Sequence, residues 1–253
     1  MTPRMMDHVD MTMVIPTYNE REHLGALLER LFAACHAHGV SVRVIVVDDN
    51  SADGTGQLAD DWALQGAVQV IHRPAKLGLG SAVLAGFALA DTDVVGVMDA
   101  DLSHPPELIG RLYEALCSSD LDMAVASRYA RGGGTNSWSI GRWILSRLGC
   151  WLSRPLTPVR DAMSGFFLLR RDRARPFDTP HRGFKIGLEL LVRAHPRRVA
   201  EVGYVFVGRE AGESKMSVKE GLMFLGQLLR LYAYALSAEK PARPKLVEGR
   251  AAL

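Results

Sequence analysis

Short apolar runs alternate along the first half of the chain with stretches in which apolar residues recur every three or four positions. Such runs predict strands that are buried on both faces, at residues 11–15, 42–47, 68–71, 94–98 and 123–126. The amphipathic stretches predict helices at 20–37, 81–90 and 106–117, the first capped by Asn19 after Pro16 has ended its strand. This alternation predicts an α/β fold with a mostly parallel central sheet and helices on both faces.

The alternation lapses after residue 129. We expect a flexible glycine-rich loop at 131–136, a helix at 138–153, a strand within 161–171, a helix over 183–194 and a strand at 199–207. A charged loop at 208–216 precedes a mostly apolar helix at 218–236, which is too short and interrupted to span a bilayer. It could dock on the domain or lie in a membrane surface. We expect residues 1–9 to be a leader, 10–237 a single domain and 238–253 a disordered tail.

Polar side chains collect where the predicted strands end. Parallel sheets bind ligands beyond the carboxyl ends of their strands, so these side chains are expected to line one cleft. Carboxylates there can accept from a base or ribose, and cations can face phosphate, which fits a nucleoside diphosphate. The residues, strand by strand, are Thr17, Tyr18 and Glu20; Asp48 and Asp49; Arg73 and Lys76; Asp99 and Asp101; and Arg128.

Asp99 and Asp101 directly follow the fourth predicted strand and are separated by one residue. The two-residue period of an extended chain points both carboxylates to the same side, where like charges repel. A divalent cation between them and a diphosphate would relieve that repulsion, and Mg²⁺ or Mn²⁺ suits such oxygen ligands. The alternative is a solvated pair ahead of a helix that begins at proline.

Composition and charge narrow the setting. The 253 residues are 48% hydrophobic, and the three cysteines lack paired or metal-ligand spacing, which favours a reducing, cytosolic compartment. No signal pattern and no run of about 20 apolar residues is present. Residues 1–127 carry 7 Lys and Arg against 18 Asp and Glu, whereas residues 128–185 carry 12 against 3. The basic segment suits nucleic acid, lipid phosphate or an anionic membrane, or consists of ordinary solvated arginines.

Five motifs together resemble the family-2 inverting glycosyltransferases, and among these the dolichol-phosphate, or polyprenyl-phosphate, mannose synthases. The resemblance covers roughly residues 11–236. The motifs are VIPTYNE at 14–20, VVDDNS at 46–51, LGLG at 77–80, DADLSHPP at 99–106 and SRY at 127–129.

The resemblance implies a GT-A-like fold and a metal-dependent enzyme that transfers a hexose, with mannose from GDP-mannose favoured, to a polyprenyl phosphate with inversion. Residues 10–128 would form the nucleotide-sugar half, 129–217 the acceptor half with a lid loop, and 218–237 an amphipathic helix. The implied cofactor is Mg²⁺ or Mn²⁺. The expected setting is peripheral, on the cytoplasmic face of a membrane, with a small anchoring protein as a further partner and without nucleic acid.

The same resemblance assigns roles to residues. Ser103 would join Asp99 and Asp101 at the metal, although relatives often carry Gln there, and Arg128 would complete the catalytic set. The acceptor phosphate is expected at Arg128, Arg142 and Ser146. The nucleotide sugar is expected to contact the following residues: Pro16, Tyr18, Glu20, Asp48, Asp49, Lys76, Asp99, Ala100, and Arg209 and Lys215 in the lid.

Three alternatives remain at this point: another donor such as UDP-glucose, a hydroxyl acceptor, or a nucleotide-sugar-binding protein without activity. A hydroxyl acceptor needs a carboxylate base, for which the candidates are Asp161, Asp172, Asp178 and Glu189. A phosphate monoester is already largely a dianion at neutral pH and needs no base. The arginine-rich, carboxylate-poor acceptor half therefore favours a phosphate acceptor.

Overall fold

A computed structural model of the chain describes residues 9–136, 138–174, 185–206, 218–237 and 243–247. Residues 1–8 of the leader expected at 1–9, and the lid loop expected at 208–216, lie outside the described residues. Within the described parts of the chain, no helix has both the length and the apolar character needed to cross a bilayer.

The first half alternates strands and helices as expected. A short 3-10 helix, Pro106–Leu108, leads into the helix that begins at Ile109. The elements are β1 (Met11–Thr17), α1 (Arg21–Ala37), β2 (Val42–Asp48), α2 (Thr55–Ala63), β3 (Val68–His72), α3 (Leu79–Leu89), β4 (Val94–Val97), α4 (Ile109–Ser118) and β5 (Met123–Ser127).

The second half is less regular. Its described elements are β6 (Gly134–Thr135), α5 (Ile140–Ser153), β7 (Phe167–Arg170), α6 (Ile186–Arg193), β8 (Arg198–Gly203), β9 (Val205–Phe206), α7 (Val218–Leu236) and β10 (Lys245–Leu246). The strand expected at 199–207 is thus divided into β8 and β9. The short β6 and β9 pair with each other in parallel, away from the main sheet.

The main sheet has eight strands in the order β10-β8-β5-β7-β4-β1-β2-β3. All neighbours are parallel except β7, which runs antiparallel to both β4 and β5. Because Phe167, the first residue of β7, pairs with Val97, the last residue of β4, the chain enters β7 at the carboxyl edge of the parallel strands. The segment before β7 therefore lies beside the predicted cleft.

Two apolar cores cover the two faces of the sheet. Alternate residues of β2 enter opposite cores: Val44 and Val46 pack into one, and Ile45 and Val47 into the other. All four are fully buried, as the continuous apolar runs predicted. Burying each such side chain contributes on the order of 1.5–3 kcal/mol, so the inner strands form a rigid support for the loops at their ends.

Two expectations at the start of the chain are wrong. Pro16 does not end β1, because the strand continues to Thr17. Pairing with β4 stops at Val14, so the missing N–H of Pro16 removes no hydrogen bond on that side. Asn19 does not cap α1; it has a φ of 57°, and its Oδ1 accepts the N–H of Ala52, tying the loop after β1 to the loop after β2.

The structure also differs from the expected loops and tail. Within the loop 131–136, Gly134 and Thr135 form β6. Residues 243–247 are not disordered, because Lys245 and Leu246 pair in parallel with the start of β8. Tail residues outside that short segment are not described. Helix α2, which the sequence pattern did not reveal, lies between β2 and β3.

Candidate active site

The loops after β1 and β2 are joined by the carboxylate of Asp48. Asp48 is 3% exposed and accepts hydrogen bonds from Thr17 Oγ1 at 3.1 Å, Ser51 N at 3.0 Å and Ser51 Oγ at 2.5 Å. A carboxylate provides about four acceptor positions, and three are taken within the protein. Asp48 therefore holds this corner of the cleft together and keeps at most one position for a ligand.

A buried ion pair shapes the glycine loop after β3. Asp49 Oδ1 lies 2.9 Å from Arg73 Nη1, and Asp49 Oδ2 accepts the N–H of Gly78 at 2.9 Å. Arg73 also donates to Ser81 Oγ at 2.6 Å. Gly78 has a φ of 100°, a conformation that favours glycine and that turns the chain into α3. Arg73, which we expected to face phosphate, instead fixes this turn.

Tyr18 and Lys76 form the exposed part of this side. The ammonium of Lys76 lies 3.7 Å from the centroid of the Tyr18 ring, within the range of a cation–π contact. Both residues are exposed, whereas Pro16 and Glu20 are half-buried behind them. Glu20 Oε2 lies 3.5 Å from His23 Nδ1. The loop after β1 thus presents an aromatic face and the loop after β3 a cation.

The two carboxylates after β4 differ in exposure. Asp101 is 6% exposed, and its Oδ1 accepts the N–H of Ser103 at 3.0 Å. Leu102, between Asp101 and Ser103, has a φ of 57°, which folds the loop back. The Asp99 side chain is 35% exposed and remains accessible, while Ala100 and Ser103 are buried. The structure thus places one reachable and one sheltered carboxylate at the end of β4.

His104, which the sequence motif contained but to which we gave no role, lies behind these carboxylates. Its Nδ1 is 3.7 Å from Asp99 Oδ2 and makes no hydrogen bond within the described chain. The pKa of His104 is lowered, because the effect of burial outweighs the opposite effect of the negative charges of Asp99 and Asp101. The imidazole packs against three aromatic rings, those of Phe166, Tyr204 and Phe206.

The oxygens here fit a hard divalent cation. No group of three or more His, Cys, Asp or Glu suited to a metal exists within the described residues. Mg²⁺ needs no such cage, because one or two carboxylates with phosphate oxygens and water complete its shell. Gly165 lies against the Asp99 carboxylate, and a Cβ added at this glycine would be 2.7 Å from Asp99 Oδ2. A side chain at residue 165 would therefore displace the Asp99 carboxylate, which is accessible as it stands.

Arg128, at the end of β5, is buried and forms a bidentate pair with Asp161. Its Nε donates to Asp161 Oδ2 at 2.7 Å and its Nη2 to Asp161 Oδ1 at 2.6 Å. Burial, the largest effect, lowers the pKa of Arg128, but the hydrogen bonds and charge of Asp161 outweigh it and raise that pKa above its ordinary value. The guanidinium carbon is 4.7 Å from the Trp138 ring centroid.

Arg142 joins Arg128 through shared aromatic neighbours. Its guanidinium carbon lies 4.5 Å from the Trp138 centroid and 5.6 Å from the Phe206 centroid. Ser146, one turn further along α5, accepts a hydrogen bond from Tyr129 OH at 2.8 Å. The structure thus brings together the side chains that we expected at the acceptor phosphate, and it adds Trp138 and Phe206 as their support.

Of the four carboxylates considered as a general base, two are paired with other side chains, one lies at the opposite edge of the sheet and one is outside the described residues. Asp161 is fully buried and pairs with Arg128. Glu189 is 1% exposed and accepts from Arg193 Nε at 2.8 Å and Gln227 Nε2 at 3.1 Å. Asp172 follows β7, at the opposite edge of the sheet. Asp178 lies outside the described residues.

Two further residues belong to the site although the sequence analysis assigned them no role. Lys185 precedes α6; burial, the largest effect, lowers its pKa, and the negative charge of Asp99 is the largest effect in the opposite direction. Glu201 on β8 accepts from Ser127 Oγ at 2.7 Å and from Asp161 N at 3.0 Å. A charged residue within the apolar run of β8 was the available signal. Arg209 and Lys215, expected in the lid, lie outside the described residues.

Comparison with known proteins agrees with the sequence motifs. Residues 12–180 match the profile of Glycosyl transferase family 2. The chain is 39% identical over 224 residues to a dolichol-phosphate mannosyltransferase of Pyrococcus furiosus, covering 87% of this chain but only 63% of that protein, less than two thirds of its length. It is 38% identical over 241 residues to the dolichol-phosphate mannosyltransferase of Saccharomyces cerevisiae, covering 91% of this chain and 90% of that protein.

Solved structures show the same architecture. A mannosyltransferase from Pyrobaculum calidifontis, described in complex with GDP-Man and Mn²⁺, superposes with a TM-score of 0.64 at 17% identity over 93% of this chain and 67% of that chain. Mannosyl-3-phosphoglycerate synthase from Rubrobacter xylanophilus also gives a TM-score of 0.64, at 19% identity over 92% of this chain and 76% of that chain. The expected GT-A-like fold is confirmed. The chain belongs to glycosyl transferase family 2.

Proposed function

We propose that the protein transfers mannose from GDP-mannose to a polyprenyl phosphate with inversion. The family makes it a glycosyltransferase, and its relatives of 38–39% identity are named dolichol-phosphate mannosyltransferases. The observation that carries the choice of acceptor is the cluster of Arg128, Arg142 and aromatic rings on the acceptor side of the cleft. Such a cluster suits an anion attached to an apolar chain.

The donor nucleotide would occupy the loops after β1, β2 and β3. Tyr18 provides an aromatic face, Lys76 a cation, and Asp48 and Asp49 the fixed corners of the pocket. Lys76, at the mouth, would meet the diphosphate, as would Arg209 and Lys215 from the lid segment. Ala100 is buried beside Asp99, so the sugar would lie against its backbone.

We propose that Asp99 and Asp101 hold Mg²⁺ or Mn²⁺, with Ser103 contributing through its hydroxyl or through water. When bound, the ion would neutralise the charge that develops on the departing diphosphate. Asp101, sheltered and bonded to the Ser103 backbone, would set the position of the ion. Asp99, partly exposed, would face both the ion and the ribose.

We further propose that no side chain acts as a general base. The phosphate acceptor arrives charged, so its oxygen needs no proton removed as it attacks the sugar. The engaged states of Asp161 and Glu189 support this proposal, because a base must reach the proton that it takes. Arg142, with Arg128, would orient the acceptor phosphate instead.

The surface of α5 is the proposed contact with a membrane. Its exposed side chains include Trp143, Ile144, Leu148 and Trp151, the last 69% exposed. They line a pocket of about 580 Å³ together with Arg147, Arg154 and Arg160. Exposed tryptophans beside arginines suit a membrane interface with anionic lipids.

Helix α7 exposes a second group of apolar side chains, at Leu222, Leu225, Leu229 and Leu236. We propose that α5 and α7 hold the protein peripherally at a membrane, with a small anchoring protein as a further partner. The three cysteines, Cys35, Cys117 and Cys150, are free thiols, which suits the reducing cytoplasmic side.

A panel of labelled nucleotide sugars tests the choice of donor. Purified protein, Mn²⁺ and polyprenyl phosphate are incubated with GDP-mannose, UDP-glucose or UDP-N-acetylglucosamine, and the lipid product is extracted. Incorporation from GDP-mannose at least about tenfold above the others is expected, since a base-specific pocket discriminates by more than 1.4 kcal/mol. Preferential incorporation from a uridine nucleotide would replace the proposed donor.

A further inference from the structure

We propose that Asp161 is a positioning residue for the acceptor phosphate, acting through Arg128, and that Glu201 supports it. The inference rests on the proposed function, because it takes Arg128 as a contact of the lipid phosphate. It assigns a role to two carboxylates, one of which is the most deeply buried acidic side chain near the acceptor side of the cleft.

Asp161 fixes both the main chain and the side chain of Arg128. Besides the two guanidinium bonds, Asp161 Oδ2 accepts the backbone N–H of Arg128 at 2.9 Å. Asp161 is fully buried, so these bonds form away from water, where charge-assisted hydrogen bonds are strongest. The guanidinium plane therefore has one orientation with respect to the end of β5.

That orientation leaves one edge of the guanidinium for a second anion. A guanidinium has five N–H donors, and Asp161 receives bonds from Nε and Nη2 only. One face of the group lies against Trp138. Because Arg142 contacts the same indole ring, the remaining edge of Arg128 and the charge of Arg142 can meet one phosphate.

Glu201 anchors Asp161 from behind. Its Oε1 accepts the backbone N–H of Asp161 and the hydroxyl of Ser127. Ser127 Oγ in turn accepts the N–H groups of Tyr129 at 3.2 Å and Ala130 at 3.1 Å. One side chain on β8 thus ties the segment 127–130 to residue 161, and the alignment of Arg128 depends on both carboxylates.

The role of Asp161 is orientation and not net attraction. The negative charge of Asp161 offsets the positive charge of Arg128. The surplus positive charge for a phosphate therefore comes from Arg142. Orientation matters because arginine binds oxyanions through a planar pair of N–H groups, and a rotated fork loses one of the two bonds. Asp161 itself is too enclosed to touch the acceptor.

The test compares Asp161→Asn with a matched remote change, Asp122→Asn. Asp122 also accepts from an arginine Nε, that of Arg173 at 3.1 Å, and from the backbone N–H of Arg198 at 3.0 Å, but it lies at the opposite end of β5. Tryptophan fluorescence measures the affinity of a water-soluble isoprenyl phosphate, of the matching isoprenol and of GDP-mannose. Thermal unfolding reports the stability of each variant.

We expect Asp161→Asn to weaken binding of the isoprenyl phosphate about tenfold or more, the scale of one lost charge-assisted hydrogen bond, with unchanged affinities for isoprenol and GDP-mannose. Asp122→Asn should lower thermal stability without changing any of the three affinities. Equal losses for phosphate and alcohol, an equal loss in Asp122→Asn, or wild-type phosphate affinity in Asp161→Asn would overturn the inference.

Glu201→Ala keeps the proposal testable if Asp161→Asn does not fold, because the Arg128–Asp161 pair remains. It should give a smaller but equally phosphate-specific loss, and wild-type phosphate affinity in this variant would overturn the inference. A wild-type protein that binds isoprenyl phosphate but transfers no sugar to polyprenyl phosphate would overturn the proposed function and leave the inference standing. Absence of isoprenyl phosphate binding by the wild type would overturn both.

Discussion

Gly165 lies against the carboxylate of Asp99, so closely that a Cβ at this position would be 2.7 Å from Asp99 Oδ2. The two residues are far apart in sequence and meet because the chain enters β7 at the carboxyl edge of β4. The space for the accessible carboxylate is therefore set by the absence of a side chain on the neighbouring segment.

Gly165→Ala should displace Asp99 and lower kcat/KM by about 10²-fold, the typical cost of a misplacement of about 1 Å at a reacting centre. Gly25→Ala, on helix α1, is the matched control, since its Cβ would meet only Leu58 of α2, at 4.0 Å. Steady-state kinetics and thermal unfolding of both variants provide the comparison. Full activity in Gly165→Ala would show that the position of Asp99 is not critical.

Asp101→Asn should abolish turnover and leave the fold intact. The carboxylate is sheltered and bonded to the Ser103 backbone, so an amide keeps that bond but loses the charge that binds the cation. A loss on the order of 10³-fold is expected, because metal stabilisation of a leaving diphosphate contributes several kcal/mol. Asp99→Asn should be milder, because part of the contact that we propose for Asp99 is with ribose.

Calorimetric titration of Mn²⁺ in the presence of GDP checks the cause of these losses. Both variants should bind the ion more weakly than wild type, and Asp101→Asn the more weakly of the two. Full activity of Asp101→Asn with EDTA present would contradict the assignment of the metal to this loop.

The exposed pair Arg30–Glu107 predicts a pH-dependent contribution to stability. The hydrogen bonds from Arg30, at 2.8 and 2.9 Å, lower the pKa of Glu107, and they join α1 to the helical turn after the carboxylate loop. A lowered folded-state pKa gives stability that is complete above the ordinary value of about 4.3 and is lost as the pH falls through the folded value.

Glu107→Gln should therefore cost at most about 1 kcal/mol at pH 7, since both side chains are well exposed. The difference from wild type should shrink as the pH falls below the ordinary glutamate pKa. Urea unfolding at a series of pH values measures it, and a gap that widens toward acid would show that the pair is not the source.

Membrane attachment should depend on α5 and on salt. Flotation with vesicles that contain an anionic phospholipid should recover the protein at low salt and lose most of it at about 0.5 M salt, where screening is strong. Trp143→Ser combined with Trp151→Ser should abolish flotation, whereas Leu64→Ser, which changes a side chain that is 88% exposed directly after α2, should not. Equal flotation of the tryptophan variant would remove α5 from the interface.

The arrangement of the first half followed from the sequence because its signals are local. Apolar runs predict the inner strands, and the rule that parallel strands share a carboxyl edge predicts that Asp48, Asp99 and Arg128 lie at one edge of the sheet. Boundaries differed by a few residues, and α2 was not recognised because its nine residues are fewer than the roughly 11–18 over which helical periodicity is assessed.

The details of the site could not be read in the same way, because they depend on contacts between distant segments. Asp161 is one of the sequence candidates for a general base, yet it pairs with Arg128 across 33 positions because the segment before β7 lies at the carboxyl edge of β5. Glu201 had no role in the sequence analysis, and from β8 it accepts the backbone N–H of Asp161, the partner of Arg128. Periodicity gives the face that a residue occupies but not which loop it meets, so these partners required the fold.

One acceptor comparison tests the central claim, which is metal-dependent transfer to a phosphate without a general base. The protein is supplied with labelled GDP-mannose and either polyprenyl phosphate or the matching polyprenol, each with Mn²⁺ or with EDTA. The account predicts labelled lipid only with polyprenyl phosphate and Mn²⁺, and activity retained in Glu189→Gln. Labelled product from polyprenol, or with EDTA present, would contradict it.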